Sequence, residues 1–296
     1  MSDTILVTGA SGSLGGAIIR HLLDSQGVKP ERVIAVTRDP KKLSALAARG
    51  VTVRAGDFDE EASLVEAFSG AGTVLIVSTD AVGEPGARLR QHLAAVSAAT
   101  KASVSRIGYT SMFSPEPGNT VLFAPDHYGT EQAIRESGIA YSIFRNGWYQ
   151  ENLMMSLPAA VGMGQWFTSA GDGRTAYVGR DDLARAIAAD LAEAPAGSAT
   201  YTLSGAEAFT NAEIAAMASE AIGKPITVVN LTDEQLAEGM KAAGVPAPMV
   251  PLLVSFDAAA RSGVLGTVTD DIEKLTGSKP APLKAWIAAN KAALGG

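Results

Sequence analysis

Short apolar runs alternate with helix-like segments through the first half of the chain, and this rhythm restricts the fold more than any other feature. The runs are Thr4–Thr8 (TILVT), Arg32–Thr37 (RVIAVT), Val51–Ala55, Thr73–Ser78 (TVLIVS), Ser105–Thr110 (SRIGYT) and Ala140–Arg145 (AYSIFR). Between them lie Leu14–Leu23, Lys41–Arg49, Ala62–Phe68, Ala87–Lys101 and Asp126–Glu136, where apolar residues recur at helical spacing. Runs this apolar are buried on both faces of a sheet, and parallel neighbours need a crossover connection, here a helix. Six such strands predict an α/β protein with a doubly wound parallel sheet. Its ligand crevice is expected at the carboxyl ends of the strands. With 47% hydrophobic residues over 296 positions, the chain can bury a full core.

After residue 145 the rhythm breaks. The stretch Asn152–Gly171 carries no charge, but Pro158, Gly162 and Gly164 mark it as a buried or ligand-facing segment rather than a membrane span. Asp181–Glu193 reads as a helix and Thr200–Leu203 as a strand returning to the main sheet. Capping boxes at Thr210-Asn-Ala-Glu213 and Thr232-Asp-Glu-Gln235 start two further helices, and a last one is expected over Leu283–Leu294. The expected organisation is a dinucleotide-binding domain over 1–145, to which 172–205 returns. A smaller α/β substrate lobe comprises 146–171 and 206–296.

Composition removes several classes of function. Acids outnumber bases 31 to 24, a net charge of -7, which disfavours nucleic acid and anionic membrane as partners. There is no cysteine, so disulfide scaffolds, thiolate metal sites and cysteine nucleophiles are excluded. The histidines at 21, 92 and 127 are far apart in sequence, and no metal site is expected. The opening residues MSDTILVTGA lack a basic, apolar leader pattern, and the expected location is cytoplasmic. The Ala-rich segment 87–101, taken as exposed, leaves a homodimer open.

The first strand runs into Thr8-Gly9-Ala10-Ser11-Gly12-Ser13-Leu14-Gly15 and then a helix. Gly9 permits the sharp turn, Gly12 lets backbone N–H groups approach a diphosphate, and Gly15 allows close helix packing. In the first βα turn of such a chain, this is the phosphate-binding turn of a Rossmann fold. After the second strand stands Arg38 rather than an acid. An arginine suits a ribose 2′-phosphate, which points to NADPH; Asp39 leaves the alternative open by turning inward. Asp57 and Phe58 after the third strand can meet the adenine, and Ser78 and Thr79 after the fourth can line the cofactor path.

Equally informative is an absence. Four positions after Tyr109, Tyr128, Tyr141, Tyr149, Tyr177 and Tyr201 stand Phe113, Gln132, Arg145, Leu153, Asp181 and Gly205, so the chain has no Tyr-x-x-x-Lys proton relay. Simple ketone chemistry, in which an alkoxide must be protonated, is thereby disfavoured. GxSxG and GxxxxGK[ST] are absent too.

Several stretches together resemble the NmrA-like, atypical short-chain dehydrogenase family. They are VTGASGSLGG (7–16), VTRDP (36–40), GDFD (56–59), YTS (109–111), APDH (124–127) with Thr130-Glu131, RNGWYQEN (145–152), GDGR (171–174) and AGVPAP (243–248). Within the family the likeness is to the NADPH:quinone oxidoreductase type 2 and triphenylmethane reductase branch. The resemblance implies NADPH binding by Gly9 to Gly15, Arg38, Ser78, Thr79, Asp80, Thr110, Asn146, Gly147, Trp148, Tyr149, Gln150 and Glu151. Asn146 and Tyr149 are the expected catalytic groups. His127 is a candidate for the nicotinamide region, with capping or a surface place as the alternative. Met112, Phe113, Met154, Met155, Trp166, Met249 and Phe256 are candidate walls for a small planar apolar substrate. The expected activity is hydride transfer from NADPH to a quinone. The alternatives are a non-catalytic NADP(H)-sensing regulator and a reductase of azo, triarylmethane or enone compounds.

Overall fold

The structure, a computed structural model, describes residues 3–295. Strands β1 (Ile5–Val7), β2 (Val33–Thr37), β3 (Thr52–Ala55), β4 (Thr73–Ile76), β5 (Arg106–Met112) and β6 (Ala140–Asn146) form one sheet in the order β3-β2-β1-β4-β5-β6. The strand Ala199–Leu203 extends it beyond β6. All five pairings within β1–β6 are parallel. Ile5 pairs with Val33 on one side and Thr73 on the other, so the strand order reverses at β1. This is the doubly wound architecture that the alternation predicts. Its strands are as apolar as burial on two faces requires: every residue of β1, β2, β4 and β5 is buried.

The crossovers are α1 (Ser13–Asp24), α2 (Ser44–Ala48), α3 (Glu61–Phe68), α4 (Ala87–Lys101) and α5 (Ala124–Glu136). α1 buries Leu14, Ile18, Ile19 and Leu22, one stripe at helical spacing. α4 departs from expectation. Its Ala95, Ala98 and Ala99 are fully buried in the core with Phe68 and Ile107, so the alanine face is not an exposed dimer surface. Small side chains there let the helix backbone approach its neighbours closely.

The chain divides into two compact units. Unit 1 holds the described residues up to Pro115, with Pro125–Asn146 and Leu183–Tyr201. Unit 2 holds Glu116–Ala124, Gly147–Asp182 and the residues from Thr202 onward. These boundaries differ from the expected ones at four places. Residues 116–124 belong to unit 2, Asn146 belongs to unit 1, and the return to unit 1 begins at Leu183 rather than residue 172 and ends at Tyr201 rather than residue 205. Unit 2 has its own core of Leu153, Leu157, Trp166, Tyr177, Ile214 and Ile287. Gln165–Thr168 pairs in parallel with Thr227–Asn230, and Arg174–Thr175 antiparallel with Phe209–Thr210. Both capping boxes form, with Thr210 and Thr232 each accepting a backbone N–H from the residue three ahead. The uncharged stretch after Asn152 contains the helix Leu157–Met163, and the proline-rich stretch after residue 242 leads into the helix Val250–Arg261. The closing helix ends early, at Ala289. Among the described residues no single helix is long and apolar enough to cross a membrane.

Candidate cofactor and active site

The turn after β1 is built around Gly9, whose φ of +59° lies in the left-handed region that favours glycine. Gly12 donates its N–H to the Gly9 carbonyl at 2.9 Å, closing the turn on itself. A Cβ at Gly15 would lie 2.4 Å from the Gly9 oxygen, so the first turn of α1 packs directly on the loop before it. Gly12 is the N-cap of α1, and no side chain caps the helix among the described residues; its first turn carries no acid. The N–H groups of Ser13, Leu14 and Gly15 therefore start the helix without intrahelical acceptors, as an anion-binding terminus does. Ala10 donates to Val36 O at 3.1 Å, and Ser11 Oγ lies 2.9 Å from Thr37 Oγ1, which ties the turn to the end of β2.

Arg38, directly after β2, is exposed. Asp39 does not turn inward: its Oδ1 accepts the Lys41 N–H at 3.2 Å and caps the short helix that follows. After β3, Asp57 uses its carboxylate to accept the Asp59 N–H at 3.1 Å, and Phe58 packs on the unit 1 core.

Past the end of β4 three successive backbone N–H groups are taken by side chains from three different elements. Val77 donates to Thr8 Oγ1 at 2.9 Å, Ser78 to Thr110 Oγ1 at 2.8 Å, and Thr79 to His92 Nε2 at 3.0 Å. Thr8 Oγ1 donates onward to Leu75 O at 3.1 Å, bridging β1 and β4 at the switch point. Asp80 is exposed. Nothing in the sequence singles out His92, yet it and His127, 35 positions apart, are neighbours in the fold. The rings of His92, Tyr109 and His127 form a triangle, with centroids 5.5 Å apart for His92–Tyr109, 5.8 Å for Tyr109–His127 and 6.1 Å for His92–His127. His127 is thus not a surface residue; it is buried at 3% exposure. Burial, reinforced by the Arg88 cation, pushes the His92 pKa down to about 3. The same two causes, with His92 added, depress His127 well below the usual imidazole range, and burial raises the Tyr109 phenol. Among the described residues no group of three or more acids and histidines can hold a metal.

β6 ends at Asn146, which is buried, with neither amide atom hydrogen-bonded among the described residues. The preceding Arg145 binds both oxygens of the buried Glu131, at 2.9 and 2.7 Å, while Ser111 Oγ donates to the same carboxylate at 2.7 Å. This charge-assisted pair joins α5, β5 and β6 and sets where Asn146 stands. It also gives the matched residues Glu131 and Arg145 a common purpose.

The next five residues belong to unit 2 and have partners there. Gly147 donates to Leu203 O at 2.8 Å, and Gln150 N–H to Val178 O at 2.9 Å. Gln150 Nε2 reaches Ala281 O at 3.1 Å, and Glu151 accepts the Arg180 N–H at the start of the helix Arg180–Glu193. The side chains of Gln150 and Glu151 are therefore engaged in internal bonds. The Arg180 guanidinium lies 4.9 Å over the Tyr149 ring. Trp148 meets Phe256 edge to face at 4.6 Å, and Phe123 meets Phe256 at 6.1 Å. Of the other expected pocket walls, Met112, Phe113 and Trp166 are buried, whereas Met155 is exposed.

A doubly wound sheet with a glycine turn and an open helix terminus at its switch point is the architecture of dinucleotide-binding α/β proteins. The chain belongs to the NmrA-like family, whose model matches residues 1–287. It is 37% identical over 273 residues to quinone oxidoreductase 2 of Escherichia coli strain K12, across 92% of this chain and 93% of that one. The crystal structure of the NADPH-dependent quinone oxidoreductase QOR2 from E. coli complexed with NADPH matches it with a TM-score of 0.91 and 35% identity, over 97% of this chain and 99% of that one. The Citrobacter sp. triphenylmethane reductase complexed with NADP(H) matches with a TM-score of 0.90 and 34% identity, over 97% and 100%. The family found is the one that the motifs resemble.

Proposed function

We propose that this protein is an NADPH-dependent oxidoreductase that reduces a quinone or a similar conjugated electrophile by hydride transfer. The observation that carries the reading is the start of α1: an uncapped helix terminus behind a glycine turn, where the strand order reverses. Membership of the NmrA-like family and the names of its relatives support it.

NADPH, when bound, supplies the hydride. The N–H groups of Ser13, Leu14 and Gly15 hold its diphosphate, with Gly9, Ala10, Ser11 and Gly12 shaping the turn. Arg38 takes the 2′-phosphate, and Asp39 is engaged with the Lys41 N–H. Asp57 and Phe58 flank the adenine. Ser78, Thr79, Asp80 and Thr110 line the path beyond β4. Asn146 has a buried amide with both atoms ready to bond, and such a group is costly unless something satisfies it. It orients the carboxamide of the cofactor or the carbonyl of the acceptor. Tyr149 offers a hydroxyl and Trp148 a flat face, while Gly147, Gln150 and Glu151 hold the backbone of that segment.

The acceptor class follows from what the chain lacks. A quinone that gains a hydride becomes an aromatic phenolate, a far weaker base than an alkoxide, and water can protonate it afterwards. The buried His92, His127 and Tyr109 are all held neutral, so none is a proton donor tuned to neutral pH. The protein's work is to align two flat rings in an apolar setting. Stopped-flow oxidation of NADPH by benzoquinones and naphthoquinones is expected to show turnover without added flavin. Absence of turnover across such a panel, with NADPH bound, would replace this reading with that of an NADP(H) sensor.

A further inference from the structure

We propose that His92 is a positioning residue for the cofactor. It accepts the Thr79 backbone N–H and so holds the Ser78–Asp80 end of β4, in a tautomer dictated by a one-way hydrogen-bond chain through Tyr109 to His127. The proposal rests on the reading above for the role of Ser78–Asp80.

The direction of each bond follows from its neighbour. A backbone amide can only donate, so at 3.0 Å from Thr79 N the His92 Nε2 carries no hydrogen. In a neutral ring the hydrogen is then on Nδ1. Nδ1 lies 3.0 Å from Thr130 Oγ1 and 3.2 Å from Tyr109 Oη. Thr130 gives its own hydroxyl hydrogen to Asp126 O at 2.6 Å, so it accepts from His92. Tyr109 also faces a nitrogen that bears hydrogen and neighbours Thr130, and its own hydroxyl hydrogen is assigned to His127 Nδ1, 2.8 Å away. His127 therefore carries its hydrogen on Nε2. One backbone amide thus sets the tautomers of two histidines that are 35 positions apart.

The chain is sealed from water. His92 and Tyr109 are fully buried and His127 nearly so. The charged groups that act on it are Arg88 from α4 and Asp126 and Glu131 from α5. A proton added to His92 Nε2 would set two donors against each other at Thr79. Val77 and Ser78 are held by short threonine side chains, Thr8 just past β1 and Thr110 on β5. Thr79, the residue farthest past the ladder, is held by a rigid ring that is itself fixed at its far edge. The outcome is a defined backbone where the sheet has ended, which a preorganised binding edge needs.

Two measurements test this. In apo protein labelled with 15N-histidine, His92 is expected as the Nδ1–H tautomer and His127 as the Nε2–H tautomer, unchanged from pH 8 to pH 5. Tyr109→Phe should perturb His127 and leave the His92 Nε2 without hydrogen. His92→Phe removes the acceptor and keeps the ring. It is expected to weaken NADPH binding and raise the NADPH KM about tenfold, with kcat changed much less. His92→Gln, whose amide oxygen can accept from Thr79, should restore most of the affinity. Hydrogen on Nε2 of wild-type His92 overturns the proposal. So does an affinity unchanged in His92→Phe, or lost equally in His92→Gln. If wild-type protein itself binds no NADPH, the functional reading falls and this role falls with it. Tight binding by wild type alongside an unaffected His92→Phe removes the His92 role alone.

Discussion

A Cβ placed on Gly15 would sit 2.4 Å from the carbonyl oxygen of Gly9 and 2.8 Å from its carbonyl carbon, both backbone atoms with nowhere to retreat. The start of α1 and the turn before it are in contact at the limit of what a backbone allows. Gly15→Ala must push the helix off the turn. We expect a loss of stability of about 1–3 kcal/mol by urea denaturation, the usual range for overpacking. NADPH binding, measured by calorimetry, should be lost to a greater degree than stability, since the displaced N–H groups are those assigned to the diphosphate. Normal NADPH affinity in this variant would show that the diphosphate is held elsewhere.

Arg38 decides cofactor preference in the proposed site. It stands exposed after β2, beside an Asp39 already bonded to Lys41. Replacing it with glutamate removes a charge-assisted partner of the 2′-phosphate and sets a carboxylate in its place. NADPH affinity should fall by about tenfold or more, the scale of a lost charged hydrogen bond. NADH affinity should change little. Parallel titrations of both cofactors measure the ratio, and an unchanged ratio would reject the assignment.

Asn146 offers a separation of function from folding. Its amide makes no hydrogen bond among the described residues, so Asn146→Ala removes a buried polar group with no partner there to lose. The melting temperature of the apo variant should equal or exceed that of wild type. Its kcat/KM with NADPH and a quinone should fall at least tenfold, about 1.4 kcal/mol of transition-state stabilisation. A large drop in apo stability, or full activity, would contradict the role given to this residue.

The buried histidines make stability depend on acid. Folding lowers both imidazole pKa values, His92 from 6.5 to about 3 and His127 in the same direction. Between these limits the unfolded chain binds protons that the folded one does not. Stability is therefore complete above the unfolded value and declines as pH falls toward the folded one. Between pH 6 and pH 5, where carboxylates remain mostly ionised, each histidine should add a slope of up to about 1.4 kcal/mol per pH unit. Urea denaturation at several pH values in wild type and His92→Gln measures it. The variant should show the smaller slope, and equal slopes would mean that His92 is charged when folded.

Much of the cofactor half was legible because it is written locally. Strand runs such as RVIAVT and the glycine spacing at 9, 12 and 15 act within a few residues, as do the capping pairs Thr210–Glu213 and Thr232–Gln235 in unit 2. Unit 2 was harder to read. Gln165–Thr168 pairs with Thr227–Asn230 across some sixty positions, and neither run is long or apolar enough to announce a strand. The alanines of α4 looked like an exposed surface, because small residues carry little hydrophobic signal. Only packing shows that they let helices approach closely.

By itself, the order of residues determined the sheet, its glycine turn and the missing tyrosine–lysine relay, since these depend on periodicity and on backbone freedom at single positions. Tertiary structure alone decided that His92, Tyr109 and His127 form one cluster, that Asp39 caps onto the Lys41 N–H, and that Asn146 is buried with an amide unbonded among the described residues. The reason is physical. Hydrogen-bond partners and desolvation are set by which side chains three-dimensional packing brings within about 3 Å, and distance along the chain carries no information about that.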